Sequence, residues 1–162
     1  MKKVFIAVMA ALMLVGCGSS SSDETSQTTQ EEFVFEANGT TVKMNEETSS
    51  ILEGLGKEIE YYEAKSCAFD GMDKTYTYAG FQLITYPDGD KDRVNSVVLK
   101  DDTVSTKEGV CIGDTKAKVE EAYGTDYTEK NGAYTYTKGK STLEFIFDGD
   151  AVSSITYTAI TK

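Results

Sequence analysis

The amino-acid sequence predicts an α+β domain made of two tandem units, each a short helix followed by an antiparallel meander of strands. From residue 33 to residue 162, short segments with apolar residues at alternate positions are separated by Gly, Asn and Asp turns. Two stretches with apolar residues at helical spacing interrupt these segments, and their order recurs along the chain. We therefore expect one extended sheet with two short helices on one face and solvent on the other.

The first segments predict a hairpin and then a helix. Apolar and polar residues alternate over residues 33–44 on both sides of Asn38-Gly39, which is the strongest two-residue signal for a hairpin turn. Asn45 is of the residue type that caps helices, and Gly56 is of the type that ends them. The helix between them carries an apolar stripe.

Strand segments and a second helix complete the two units. In the first unit we expect strands over residues 58–64, 74–78, 81–86 and 94–99. In the second unit we expect a helix from a cap at Asp114 to Gly124, followed by strands over residues 134–137, 142–147 and 151–158.

The repeated order of short motifs indicates an internal duplication. A Thr-Tyr alternation over residues 75–78 is matched over residues 134–137, and an Asp-Gly-Asp turn over residues 88–90 is matched over residues 148–150. Residues 33–162 then form a single domain of two repeats, about 40–104 and 105–162. The first repeat holds an additional segment around Cys67.

The start of the chain resembles an export signal that ends in a lipidation site. A basic tip and about a dozen apolar residues precede Leu14-Val15-Gly16-Cys17, which resembles the lipobox of bacterial lipoproteins. The resemblance implies that residues 1–16 are removed as a signal peptide. It also implies that a diacylglycerol and a fatty acid such as palmitate on Cys17 anchor the chain in the lipid bilayer, at the extracytoplasmic face of the cell membrane. Residues 17–32 are polar, and we expect them to form a flexible tether.

Composition excludes several classes of function. The 27 acidic and 16 basic residues give a net charge of −11, which disfavours nucleic acid as a partner. The chain has no His, so the usual general base and the commonest metal ligand are missing. Asp residues at positions 88, 90 and 92 are spaced as in a calcium loop, but Arg93 stands where that loop requires Gly. We expect no enzyme activity, no metal and no cofactor.

Two further sets of residues are candidates for a site, and each has an alternative. Tyr76 and Tyr78 share one strand face, as do Tyr134 and Tyr136, so the four either form an exposed platform that binds a partner or lie in the core. Cys67 and Cys111 either form a disulfide, as an even pair in an exported protein can, or remain two free thiols.

The tandem arrangement resembles a known family. Residues 108–114 with the helix up to Gly124, and residues 66–74 followed by Tyr76 and Tyr78, carry the resemblance. The arrangement is similar to the β-lactamase inhibitory protein family and to the related small outer-membrane assembly lipoproteins. The motif around Cys67 also resembles a lipoprotein family of Gram-positive gut-type bacteria. The resemblance implies a sheet face that binds an extracytoplasmic protein. The expected function is a membrane-anchored, non-enzymatic protein-binding module, and the alternative is a structural or assembly lipoprotein of the cell envelope.

Overall fold

The structure of the protein is a computed structural model that describes residues 31–161. The predicted signal peptide, Cys17 and the tether up to residue 30 lie outside the described residues. Within residues 31–161, no helix is both long enough and apolar enough to cross a membrane.

Ten strands and two helices make up the described part of the chain. In order they are β1 (Val34–Ala37), β2 (Thr40–Lys43), α1 (Ser49–Leu55), β3 (Glu60–Lys65), β4 (Met72–Tyr78), β5 (Phe81–Asp88), β6 (Lys91–Leu99), α2 (Lys116–Tyr123), β7 (Thr128–Lys130), β8 (Ala133–Lys138), β9 (Ser141–Asp148) and β10 (Ala151–Ala159). β1 and β2 form a separate hairpin. The other eight strands form one antiparallel sheet in the order β3-β4-β5-β6-β10-β9-β8-β7.

The predicted α+β class is wrong, because the protein is mostly β. About 50% of the described residues lie in strands and 11% in helices. The two helices have seven and eight residues and fully bury Ile51, Leu55 and Val119. The sheet continues from β6 to β10, and one core takes residues from both halves, so the fold is not clearly two tandem helix-plus-meander units.

The core lies on one face of the eight-stranded sheet, beneath the β1–β2 hairpin and the helices. Phe35 and Val42 of the hairpin are fully buried. The Phe35 ring packs edge-on against Phe81 at 4.9 Å between centroids and lies 5.9 Å from Tyr157. The hairpin is therefore part of the same core as the sheet, and the opposite face of the sheet is left open.

The predicted hairpin turn is confirmed, but both predicted helix caps are wrong. Asn38 and Gly39 have φ values of 52° and 74°, the positive values that a two-residue turn between strands requires. Asn45 does not cap α1, because residues 45–48 pair with the start of β6: Asn45 N donates to Val94 O at 2.9 Å. Thr48 precedes α1 instead, and Thr115 rather than Asp114 caps α2.

Candidate functional site

The four tyrosines that could have formed a binding platform lie on the covered face of the sheet. Tyr78, Tyr134 and Tyr136 are only 6%, 8% and 4% exposed, and Tyr76 is partly buried against the same core. Tyr136 donates its hydroxyl to Gly124 O at 2.8 Å, and burial raises its pKa to about 12. The platform interpretation is wrong, and the core alternative is the one that the structure contains.

The middle rows of the open face of the sheet carry hydroxyl groups rather than aromatic rings. One row of neighbouring residues crosses all eight strands: Thr128, Thr135, Glu144, Thr156, Val98, Gln82, Thr77 and Glu60. A second row crosses seven: Thr137, Thr142, Thr158, Ser96, Ile84, Thr75 and Tyr62. Among these residues, Tyr62 is the exposed large apolar side chain, and it lies at the edge. The apolar surface that protein interfaces favour is therefore not in the middle of this face.

An exposed apolar cluster lies instead at the edge of the sheet formed by β3. Six large apolar side chains are exposed among the described residues, and four of them belong to this edge: Ile59 (68%), Tyr61 (46%), Tyr62 (67%) and Met72 (37%). Adjacent strand residues point to opposite faces. The Tyr61 ring therefore lies beside the Tyr76 ring, with 5.2 Å between the centroids, while Tyr62 points to the open face. We call residues 59–65 together with Met72 the β3 edge.

The β3 edge also presents unpaired backbone groups. Ser66 N donates to Gly71 O at 3.0 Å, and the register with β4 continues without a shift from Lys65 to Glu60. Hydrogen-bonded pairs alternate with non-bonded pairs in an antiparallel ladder. Tyr62 and Ala64 therefore bond to β4. The N–H and C=O groups of Tyr61, Glu63 and Lys65 point away from the sheet.

The two edges of the sheet differ in how well they are protected. β7, at one edge, has three residues, which is a common way to prevent pairing with another chain. β3, at the other, has six residues and contains neither Pro nor a register shift. A long, regular edge with exposed apolar side chains is a template for a further strand. The β3 edge is therefore the candidate functional site.

Hydrogen exchange would test this alternation of backbone groups. We expect the amides of Tyr61, Glu63 and Lys65 to exchange with solvent much faster than those of Tyr62 and Ala64, because only the latter two donate to β4. Amide-resolved exchange measured by NMR would check this. Equal protection along the whole strand would mean that something covers the edge or that the register is different.

The charge at the β3 edge is negative near the tyrosines. Glu58 and Glu60 flank Ile59, and Glu63 accepts a hydrogen bond from the Tyr61 hydroxyl. That hydrogen bond, together with burial, raises the pKa of the Tyr61 hydroxyl. The edge therefore combines aromatic surface with carboxylates.

The two cysteines are free thiols in the structure, so of the two alternatives it contains the free pair and not the disulfide. Cys67 is exposed in the β3–β4 loop, where Gly71 approaches Pro87 near the β5–β6 turn. Cys111 lies near the start of β10, at the opposite end of the strands. The Cys111 Sγ donates to Asp114 Oδ2 at 3.3 Å, and burial followed by this hydrogen bond raises the pKa of the Cys111 thiol.

We expect Cys67 to react severalfold faster with iodoacetamide than Cys111 at pH 8. The thiolate is the reactive form; Cys111 is less exposed than Cys67, and burial raises the pKa of the Cys111 thiol. Mass spectrometry of peptides after timed alkylation would measure both rates. Equal rates would contradict the partly buried, hydrogen-bonded environment of Cys111. If neither cysteine reacts until a reductant is added, then the two form a disulfide.

The described residues hold no group of three or more acidic or Cys side chains arranged to bind a metal ion. Comparisons with protein-family models, curated proteins and solved structures found no match. The resemblance to the β-lactamase inhibitory protein family therefore stays a prediction. Tyr61 and Tyr62 were missed as site residues, although adjacent tyrosines in a strand point to opposite faces and only one face of this sheet is covered.

Proposed function

We propose that the protein is a membrane-anchored, extracytoplasmic lipoprotein that acts as a non-enzymatic protein-binding module. The observation that supports this function is the β3 edge, a six-residue strand with unpaired backbone groups and exposed apolar side chains. An extended segment of the partner adds to β3 as a further strand, a known mode of peptide recognition in which main-chain hydrogen bonds supply affinity.

The chemistry of the edge favours a particular kind of segment. Tyr61 and Tyr62 point to opposite faces, so they contact neighbouring side chains of an added strand, one on each face, and select apolar residues there. Glu58, Glu60 and Glu63 favour a basic segment. The net charge of −11 opposes pairing between two copies of the chain. The partner segment is therefore extended and basic, with two neighbouring apolar residues, one for each face.

The anchor keeps this module at the membrane surface. The lipid on Cys17 holds the chain to the bilayer, and the polar residues up to residue 30 separate it from the domain. Where the described chain begins, Glu31 is paired with Lys138 at 2.8 Å, at the end of β8. Labelling cells with palmitate would test the anchor, since the Cys17→Ser variant should lose both the label and the membrane association.

Selection from a library of displayed peptides would test the binding function. The bait is the mature chain with Cys17→Ser, and the control is the same chain with Tyr61→Ser and Tyr62→Ser, whose exposed side chains can be removed with little effect on folding. We expect enriched peptides to be basic with a pair of neighbouring apolar residues, and to lose at least about tenfold in affinity for the control. Peptides that bind both chains equally would place the site elsewhere. If no peptide is enriched and the protein instead crosslinks into a large envelope complex, the structural or assembly role would be favoured.

A further inference from the structure

A cleft lies on the open face of the sheet, at the end where β10 stops. The last residue of β10 paired with β6 is Thr158, opposite Ser96, so the first residues of β6 have no neighbour from β10. The segment around Asn45 pairs with β6 there instead. The gap between that segment and the end of β10 is a cleft of about 570 Å³, within the range of small-molecule sites.

Three hydrogen bonds of Asn45 connect it to other residues that line the cleft. The Tyr86 hydroxyl donates to Asn45 Oδ1 at 3.2 Å, and Asn45 Nδ2 donates to Lys140 O at 3.2 Å. Arg93 Nη1 donates to Asn45 O at 3.0 Å. Asn45 has a φ of 64°, a left-handed conformation that Asn adopts more readily than most residues. The positions of the Tyr86 ring and the Arg93 guanidinium are thus set before any ligand arrives.

The walls of the cleft include apolar surface. Phe69, from the β3–β4 loop, stacks on Tyr86 with ring centroids 4.6 Å apart and 28° between the planes. Ser66 Oγ accepts hydrogen bonds from the backbone N–H groups of Ala68 and Phe69, which fixes this loop. Ile160, which is 44% exposed, contributes apolar surface from the end of β10. Phe69 and Ile160 thus give the cleft apolar surface beside its polar groups.

Two cationic side chains, Arg93 and Lys140, line the cleft. Arg93 Nε pairs with Asp88 at 2.5 Å, which orients the guanidinium and leaves further N–H donors free of that pair. The ammonium of Lys140 has no carboxylate within 4.0 Å among the described residues. Asp88 therefore offsets Arg93. Glu32 bonds to the backbone N–H of Lys140 at 3.4 Å and leaves the Lys140 ammonium without an ion pair in the described part of the chain.

We propose that this cleft binds a small organic anion, a carboxylate joined to an aromatic or other flat apolar group. The carboxylate interacts with Lys140 and Arg93, and the apolar group packs on Phe69 and Ile160. A charge-assisted hydrogen bond to a carboxylate is stronger than one to a neutral amide, so the cleft distinguishes an acid from its amide. No residue of the β3 edge lines the cleft, so this inference does not depend on the proposed function.

An NMR titration of the mature chain with Cys17→Ser tests the inference, with benzoate and its uncharged analogue benzamide as probes. We expect benzoate to shift the amide signals of Asn45, Phe69, Arg93 and Lys140 saturably, and benzamide to bind at least about tenfold more weakly. Equal binding of the two probes, shifts centred elsewhere, or no saturable shift with benzoate would each overturn the inference.

Two lysines of the same turn region provide matched variants. Lys140→Gln removes the unpaired charge. We expect it to weaken benzoate binding severalfold and to leave the affinity for benzamide unchanged. Lys138→Gln removes an equal charge two residues away, but Lys138 pairs with Glu31 and does not line the cleft, so benzoate binding should be unchanged. Both lysines are exposed, so both variants should fold. An equal loss in the two variants would mean that general charge attraction, not the cleft, binds the anion.

Discussion

Replacing Phe35 with alanine should lower the free energy of unfolding by about 3 to 5 kcal/mol, the usual cost of removing a buried aromatic ring. Phe35 is fully buried and packs on Phe81 and Tyr157, which belong to the two halves of the large sheet. The substitution leaves a cavity where the β1–β2 hairpin meets both halves. Urea unfolding of the mature chain, followed by circular dichroism, would measure the effect.

Thr41→Ala is the matched control for the hairpin. Thr41 lies in β2 beside fully buried Val42, but its own side chain is exposed, so its loss should change the free energy of unfolding by less than about 0.5 kcal/mol. A loss below about 1 kcal/mol for Phe35→Ala would contradict the fold, because it would mean that the hairpin is not part of the sheet's core.

The strands of this fold could be predicted from the sequence because their pattern is local. Alternation and turn residues located seven of the eight strands of the large sheet and the hairpin turn at Asn38-Gly39. β7 was missed, since its three residues, Thr128 to Lys130, have no apolar member. The fold class was wrong because two short helical patterns predicted a layer of helices on the sheet. The helices are too short to form such a layer, and they bury only three side chains between them.

The starts of the helices and the location of the candidate site depend on contacts between residues that are distant in the sequence. Asn45 and Asp114 are good capping residues, but the segment of each pairs with the start of a long strand, β6 or β10, and the helix begins later. The Thr-Tyr alternation in β4 and β8 allows either face to be buried. The choice depends on which face the hairpin covers, and neither strand's own residues specify that. The cleft around Asn45 depends on where β10 ends relative to β6.

Proline at Glu63 should abolish strand addition at the β3 edge and leave the domain folded. The N–H of Glu63 points away from β4, so proline removes a donor that only an added strand uses, and proline is tolerated on such an edge. We expect the affinity for a selected basic peptide to fall at least about tenfold, since one hydrogen bond is lost and the proline ring stands where the added strand must approach. Titration with the labelled peptide would measure the affinity, and urea unfolding would show that the domain is intact.

Two neighbouring variants separate the role of the backbone from the other effects of Glu63→Pro. Glu63→Ala removes the carboxylate but keeps the N–H, so it should lower the affinity for a basic peptide by less than Glu63→Pro does. Ala64→Pro removes an N–H that bonds to β4, so it should lower the free energy of unfolding by at least about 1 kcal/mol. If the Glu63→Pro and Glu63→Ala variants bind the peptide with equal affinity, then the peptide does not add to β3 as a strand and is bound by side chains alone. If Glu63→Pro lowers the free energy of unfolding and Ala64→Pro does not, then the N–H of Glu63 rather than of Ala64 bonds to β4, and the edge offers the opposite set of backbone groups to a partner.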